Sequence, residues 1–121
     1  MAWSFSAGKP IYLQVLDRIL LGIFNGTYPS GSKLPTVRDI AVEAAVNPNT
    51  VQRAMTEAEE TKLVFTRRGD GRYVTEDEAL IREARTRFAK EEAGGFILSM
   101  RSLGLTDDEI LSLIETVTGK E

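Results

Sequence analysis

The chain contains no cysteine and no histidine. Without cysteine there is no disulfide, no thiolate zinc site and no cysteine nucleophile. Without histidine the commonest general base and the commonest metal ligand are missing together. Glycine-rich phosphate loops and nucleophile motifs are absent too, so an enzyme would have to work with Asp, Glu, Lys and Tyr alone. No catalytic residue, metal or cofactor is expected. No apolar run approaches the roughly 18 residues that cross a bilayer, and the N-terminus lacks a basic-then-apolar leader pattern. A cytoplasmic location with no membrane partner is the expectation. There is no internal repeat and no low-complexity segment.

What is present is ordinary in bulk and uneven in distribution. A length of 121 residues supports one modest core, or one domain with a small helical appendage. The net charge of −3 argues at first against a nucleic-acid partner. Residues 1–75, however, hold nine Lys/Arg against seven Asp/Glu, whereas residues 76–121 hold six against eleven. Local patches, not the global sum, govern contact with phosphates.

Along the chain, residues 1–9 read as an irregular arm whose Trp3 and Phe5 pack against a core or a partner chain. Pro10 suits the first turn of a helix. Ile11, Val15, Leu16, Ile19, Leu20, Ile23 and Phe24 then recur at helical spacing, and Asn25-Gly26 ends the helix. Tyr28-Pro29-Ser30-Gly31-Ser32 is a turn-rich connector. Thr36 and Asp39 form a capping-box pair that starts a second helix burying Val37, Ile40, Ala41 and Ala44. Asn47 as cap and Pro48 as first residue start a third helix, which runs to about Thr61 and turns Val51, Ala54, Met55 and Ala58 inward. A joint of four to five residues is expected between these two helices. Leu63–Thr66 and Arg72–Thr75 alternate as two strands around Arg68-Gly69-Asp70-Gly71.

Two short capped helices followed by a basic hairpin make a winged helix-turn-helix, a unit that puts one helix into a major groove and a wing onto the neighbouring backbone. The expected fold is mainly α with a small β-hairpin: a DNA-binding domain over residues 1–75 and a two-helix dimerisation segment over 76–121. In that tail a helix from about Glu76 carries Leu80, Ile81, Ala84, Phe88, Ile97, Leu98, Met100 and Leu103. Gly94-Gly95 within it either bends the helix or lets another approach closely. Gly104 is a C′ residue, Thr106 to Glu109 a second capping box, and the last helix presents Ile110, Leu111, Leu113, Ile114 and Val117. These stripes exceed what one small helical pair buries. A homodimer seam centred on Ile81, Phe88, Ile97, Leu98, Leu111 and Ile114 is expected. Consecutive acids at Asp107-Asp108-Glu109 are explained by capping and the helix dipole, not by a metal.

The opening Pro10-Ile11-Tyr12-Leu13-Gln14, the Leu34-Pro35-Thr36-Val37-Arg38 box, Asn49-Thr50-Val51 and the Arg67-Arg68-Gly69-Asp70-Gly71 wing, in that order, resemble the DNA-binding domain of the GntR family of bacterial transcription regulators. The tail with Leu103-Gly104-Leu105-Thr106 resembles the YtrA subfamily, whose C-terminal segment serves dimerisation. The resemblance implies a homodimeric repressor of operator DNA, often at operons for ABC-type transporters. It also implies that Arg38 binds a phosphate or base edge. Three positions depart from the family pattern: Pro48 and Gln52 stand where basic residues are usual, and Ala45 where many members have Gly. Gln52 can read adenine through its amide as Arg reads guanine. Ala45 implies either a turn that is not left-handed or a small strain.

The predicted DNA-contacting set is Arg38, Asn49, Thr50, Gln52, Arg53, Arg67, Arg68, Gly69, Gly71 and Arg72. Asn49, Thr50 and Gln52 are assigned to base edges, while Arg38, Arg53 and the wing fix register on phosphates. Each has a bland counterpart: Arg38 paired with Asp39 or Glu43, Asn49 and Thr50 as plain capping residues, Gln52 facing solvent, and a wing of solvated charges. Residues 52 and 53 lie about 100° apart on a helix, so both need not face the groove. The rival to a DNA-binding regulator is a winged-helix protein-interaction module that does not touch DNA, and the salt dependence of DNA affinity separates the two. Operator sequence, target genes and any small-molecule effector are not legible in the sequence.

Overall fold

A computed structural model describes residues 3–119. The order is α1 (Ile11–Phe24), α2 (Val37–Ala44), α3 (Pro48–Glu60), β1 (Val64–Arg67), β2 (Gly71–Val74), α4 (Glu78–Ser102) and α5 (Asp107–Thr118). The chain divides into two compact units, Met1–Glu83 and Ala84–Glu121. The division falls inside α4, whose first turns carry the buried Ile81.

In the first unit, α3 is the common neighbour: it packs on α1, on α2 and on β1. Val15 and Ile19 of α1, Ile40 and Ala44 of α2, Val51, Ala54, Met55 and Ala58 of α3, and Val64 and Val74 of the hairpin are buried. Pro10 stands just before α1 as its cap, where its carbonyl accepts from the Leu13 and Gln14 amides at 3.2 and 3.3 Å. Gly22 is buried within α1 because the Tyr28 ring lies against it; a Cβ there would come 2.5 Å from Tyr28 Cε2. The Thr36–Asp39 capping box is complete, and the Asn47 side chain accepts from the Asn49 amide at 2.7 Å. Between α2 and α3 the joint is three residues, shorter than expected, because α2 ends on a left-handed residue that reverses the chain at once. That residue is Ala45, with φ 58° and ψ 49°, so of the two alternatives at this position it is the strained one that occurs.

The hairpin pairs Val64 with Val74, Phe65 with Tyr73, Thr66 with Arg72 and Arg67 with Gly71. Both strands sit one residue closer to the turn than expected, because Gly71, at a φ of 146° that favours glycine, pairs with Arg67 and leaves a three-residue loop, Arg68-Gly69-Asp70. The connector before α2 also joins the sheet. The Leu34 amide donates to the Arg72 carbonyl at 2.8 Å and the Val74 amide to the Ser32 carbonyl at 2.9 Å. Turn residues concealed this pairing in the sequence.

The arm before α1 packs on its own chain. Gln14 accepts from the Ser6 amide at 2.9 Å and donates to the Ser6 and Lys9 carbonyls at 2.9 and 2.8 Å. Trp3 lies under the Arg18 guanidinium and donates from Nε1 to Glu43 at 3.1 Å. Its ring and that of Phe5 are half-buried on these surface groups, not inserted into the core.

Helix α4 begins two residues later than expected, because Asp77 caps it by accepting from the Leu80 amide at 3.1 Å. It continues as helix through Gly94-Gly95. In the second unit it ends in a Schellman turn, with Leu105 N–H donating to Met100 at 3.3 Å, Gly104 N–H to Arg101 at 2.9 Å, and Gly104 at φ 89°. The Thr106–Glu109 capping box opens α5, which buries Ile110. The Arg101 guanidinium grips Asp107 through two bonds, Nε to Oδ1 at 3.0 Å and the second nitrogen to Oδ2 at 3.1 Å, and closes the turn between the helices.

Candidate nucleic-acid interface

The site residues belong to three structures: the first turn of α2, the first half of α3, and the wing. Helix N-termini carry unpaired amides and the positive end of the helix dipole, which favours anions. Arg38 is exposed in the first turn of α2 with no ion pair among the described residues. Its two bland partners are engaged elsewhere, since Asp39 closes the capping box and Glu43 accepts from Trp3.

On α3 the buried Val51, Ala54 and Met55 set the orientation of the helix. That leaves Asn49, Gln52 and Arg53 exposed and Thr50 half-buried. The Asn49 backbone N–H takes part in capping, while the side-chain amides of Asn49 and Gln52 make no hydrogen bond among the described residues. Arg53 lies with its guanidinium carbon 3.7 Å above the centre of the Tyr12 ring.

The wing has two chemically distinct faces, set by strand alternation. Thr66 and Arg72 share the face of the buried Val64 and Val74, and there both hold Glu59 of α3. Arg72 Nε donates to Glu59 at 2.7 Å, with the arginine side chain only 21% exposed. The Thr66 hydroxyl and then Arg72 hold the Glu59 carboxyl below the usual glutamate range, against the opposing effect of burial. Arg72 therefore fastens the wing to α3. The opposite face shows Phe65 stacked on Tyr73 with ring centres 6.0 Å apart, and Arg67 lying 4.2 Å over Tyr73.

At the tip, Arg68 is exposed and unpaired among the described residues. Gly69 is left-handed (φ 78°), and a Cβ on Gly71 would meet Lys33 Cε at 2.9 Å. That close approach lets Lys33 reach Asp70 at 3.1 Å, while the Tyr73 hydroxyl donates to Asp70 at 2.7 Å. These two bonds, the Tyr73 one foremost, lower the Asp70 carboxyl.

Tyr12, Lys33, Glu59 and Tyr73 are residues that sequence reasoning did not assign to the site. A signal existed for Glu59, because hairpin parity places Thr66 and Arg72 on the helix-facing side. None existed for Lys33, which the connector's turn residues disguised. In the tail, Ile81 is already buried within the chain, Phe88 and Ile97 are half-buried, and Leu98, Leu111 and Ile114 are exposed. Asp107 pairs with Arg101 and Glu109 closes the capping box, and no group of potential metal ligands occurs among the described residues. No described helix is long and apolar enough to cross a membrane.

Comparison with known proteins gives the same outline. The family model for bacterial regulatory proteins, gntR family, matches residues 11–74, from the start of α1 to the end of β2. The chain is 40% identical to the HTH-type transcriptional regulator YhcF of Bacillus subtilis strain 168 over 95% of each protein. It is 29% identical to the HTH-type transcriptional repressor YtrA of the same strain over 93% of this chain and 87% of that one. A GntR family transcriptional regulator from Listeria monocytogenes, 40% identical, superposes with a TM-score of 0.86 over 93% of this chain and 98% of that one. The chain thus belongs to the gntR family of bacterial regulatory proteins, and is a DNA-binding transcription regulator, not an enzyme.

Proposed function

We propose that this regulator is a cytoplasmic repressor that binds a two-fold symmetric operator as a homodimer. Residues 1–75 hold the DNA and 76–121 join the two copies. Asn49, Thr50 and Gln52 read base edges, and Arg38, Arg53, Arg67 and Arg68 hold phosphates, with Gly69 and Gly71 shaping the tip that carries them. Arg72 contributes by bracing the wing. The observation that carries this reading is the unequal fate of the charges. Arg38 and Arg68 stand exposed and unpaired among the described residues, at a helix N-terminus and the wing tip, while Asp39, Glu43, Glu59 and Asp70 are each engaged by other groups.

The dimer reading rests on the exposed Leu98, Leu111 and Ile114, together with Phe96, Leu103 and Val117, large apolar side chains that a second copy would cover. Repression is the activity in the name of the relative YtrA. Resemblance to the YtrA subfamily extends it to operons encoding ABC-type transporters.

The test is selection of bound duplexes from a random pool, followed by affinity measurement across salt. An inverted repeat should emerge. If each subunit neutralises three or four phosphates, the log–log slope should be roughly −5 to −7, from about −0.9 per phosphate. Arg38→Ala should weaken binding to all sequences, whereas Gln52→Ala should relax preference at one base position per half-site. A slope near zero overturns the reading in favour of a protein-interaction module.

A further inference from the structure

Two arginines near the recognition helix are held in chemically opposite ways. Arg72 gives its Nε–H to Glu59, and an N–H given to a carboxylate is not free for a phosphate. Arg53 has its face occupied instead, 3.7 Å over the Tyr12 ring, and no carboxylate pairs with it among the described residues. Stacking engages the π face and leaves the in-plane N–H donors directed outward. Tyr12 lies in the first turn of α1, one turn ahead of the fully buried Val15, and α1 packs along α3, so the core fixes its half-buried ring. Its hydroxyl makes no hydrogen bond among the described residues, which leaves the ring as the group Arg53 uses. The arrangement recurs on the wing, where Arg67 covers Tyr73 and the Tyr73 hydroxyl is tied to Asp70.

We propose that Tyr12 is a positioning residue for DNA binding, its ring holding the Arg53 guanidinium flat beside the recognition helix with the donor edge free for operator phosphates. The inference rests on the DNA-binding reading above. Its physical basis is that a long side chain ordered before binding loses less freedom on binding. Gln52, about 100° further round the helix, is left to the base edges.

The experiment is a double-mutant cycle on the full chain with a selected operator duplex and an unrelated duplex, at several salt concentrations. Tyr12→Phe should bind within about twofold of the parent, because the ring is kept. Tyr12→Leu should weaken binding about five- to twentyfold over two half-sites, alike on both duplexes. Arg53→Ala should cost at least as much and flatten the salt slope by about 1.8 per dimer. The double variant should bind no worse than Arg53→Ala alone.

Independent, multiplying losses in the double variant would overturn the proposal. So would a Tyr12→Phe loss equal to that of Tyr12→Leu, which would make the hydroxyl itself the DNA ligand. If circular dichroism shows Tyr12→Leu unfolded, Arg53→Lys decides: the charge stays and the planar face goes. Binding should then fall most of the way to Arg53→Ala, and parental affinity would refute the stack. A parent protein without salt-dependent DNA binding overturns the DNA-binding reading itself, before any variant is compared.

Discussion

Replacing Ala45 with glycine should stabilise this protein, although glycine is ordinarily the worse residue near a helix. Ala45 closes α2 at φ 58°, with its amide donating to Val42 at 3.3 Å and the Val46 amide to Ala41 at 3.0 Å. An L-residue in this region costs about 1–2 kcal/mol, which glycine relieves. Glycine returns about 0.4–1 kcal/mol of that by loosening the unfolded chain, leaving a net gain of about 0.5–1 kcal/mol. For a unit of this size the melting temperature should rise by about 3–6 °C. Gly22→Ala should do the reverse. Helix propensity favours alanine by about 1 kcal/mol. The new Cβ would nevertheless lie 2.5 and 2.6 Å from Tyr28 ring carbons, in a turn held by the Tyr28 amide donating to the Gly22 carbonyl at 2.8 Å. Overpacking of that kind costs about 1–3 kcal/mol, so the melting temperature should fall. Thermal unfolding by circular dichroism or calorimetry reads both. An unchanged or lowered melting temperature for Ala45→Gly, or a raised one for Gly22→Ala, would refute the reasoning.

Three further outcomes are expected. The Glu59 carboxyl lies below its ordinary value of 4.5 in the folded state, so its stabilising contribution is complete above that pH and is lost as pH falls through the folded value. Urea midpoints should therefore drop below pH 4.5 less steeply for Glu59→Gln than for the parent. Leu111→Asp should convert a dimer to a single-chain mass in light scattering while the helical circular dichroism of the separate chains survives, and an unchanged dimer mass would remove Leu111 from the seam. Gly94→Ala should stabilise α4 by about 1 kcal/mol, because no other group among the described residues lies within 4 Å of the added Cβ; a loss of dimer affinity in the same variant would locate a close helix approach there.

Much of the fold was legible because its signals are local. The Thr36–Asp39 and Thr106–Glu109 capping boxes, Asn47-Pro48, the Gly104 terminus and the inward face of α3 all involve residues within four or five positions of one another. The hydrogen bonds and helical period that specify them close within one turn. The candidate site was legible in part: Arg38, Asn49, Gln52, Arg53 and Arg68 are exposed. Arg72 was read with the other wing arginines, since residue type alone does not tell an arginine paired with a carboxylate of its own chain from one that is unpaired.

The amino-acid sequence by itself determined which segments are helical to within a residue or two, which faces turn inward, and that the hairpin tip is basic. Tertiary structure alone decided the pairings that cross elements: Arg72 with Glu59, 13 residues apart, Lys33 with Asp70, 37 apart, Trp3 with Glu43, 40 apart, and Arg53 over Tyr12. Such pairs depend on how α1 and the hairpin lie against α3; strand alternation gives the face on which Arg72 lies but not the partner it meets there. Packing of the shared core settles it, and with it which arginines are spent inside the protein and which are left for a partner.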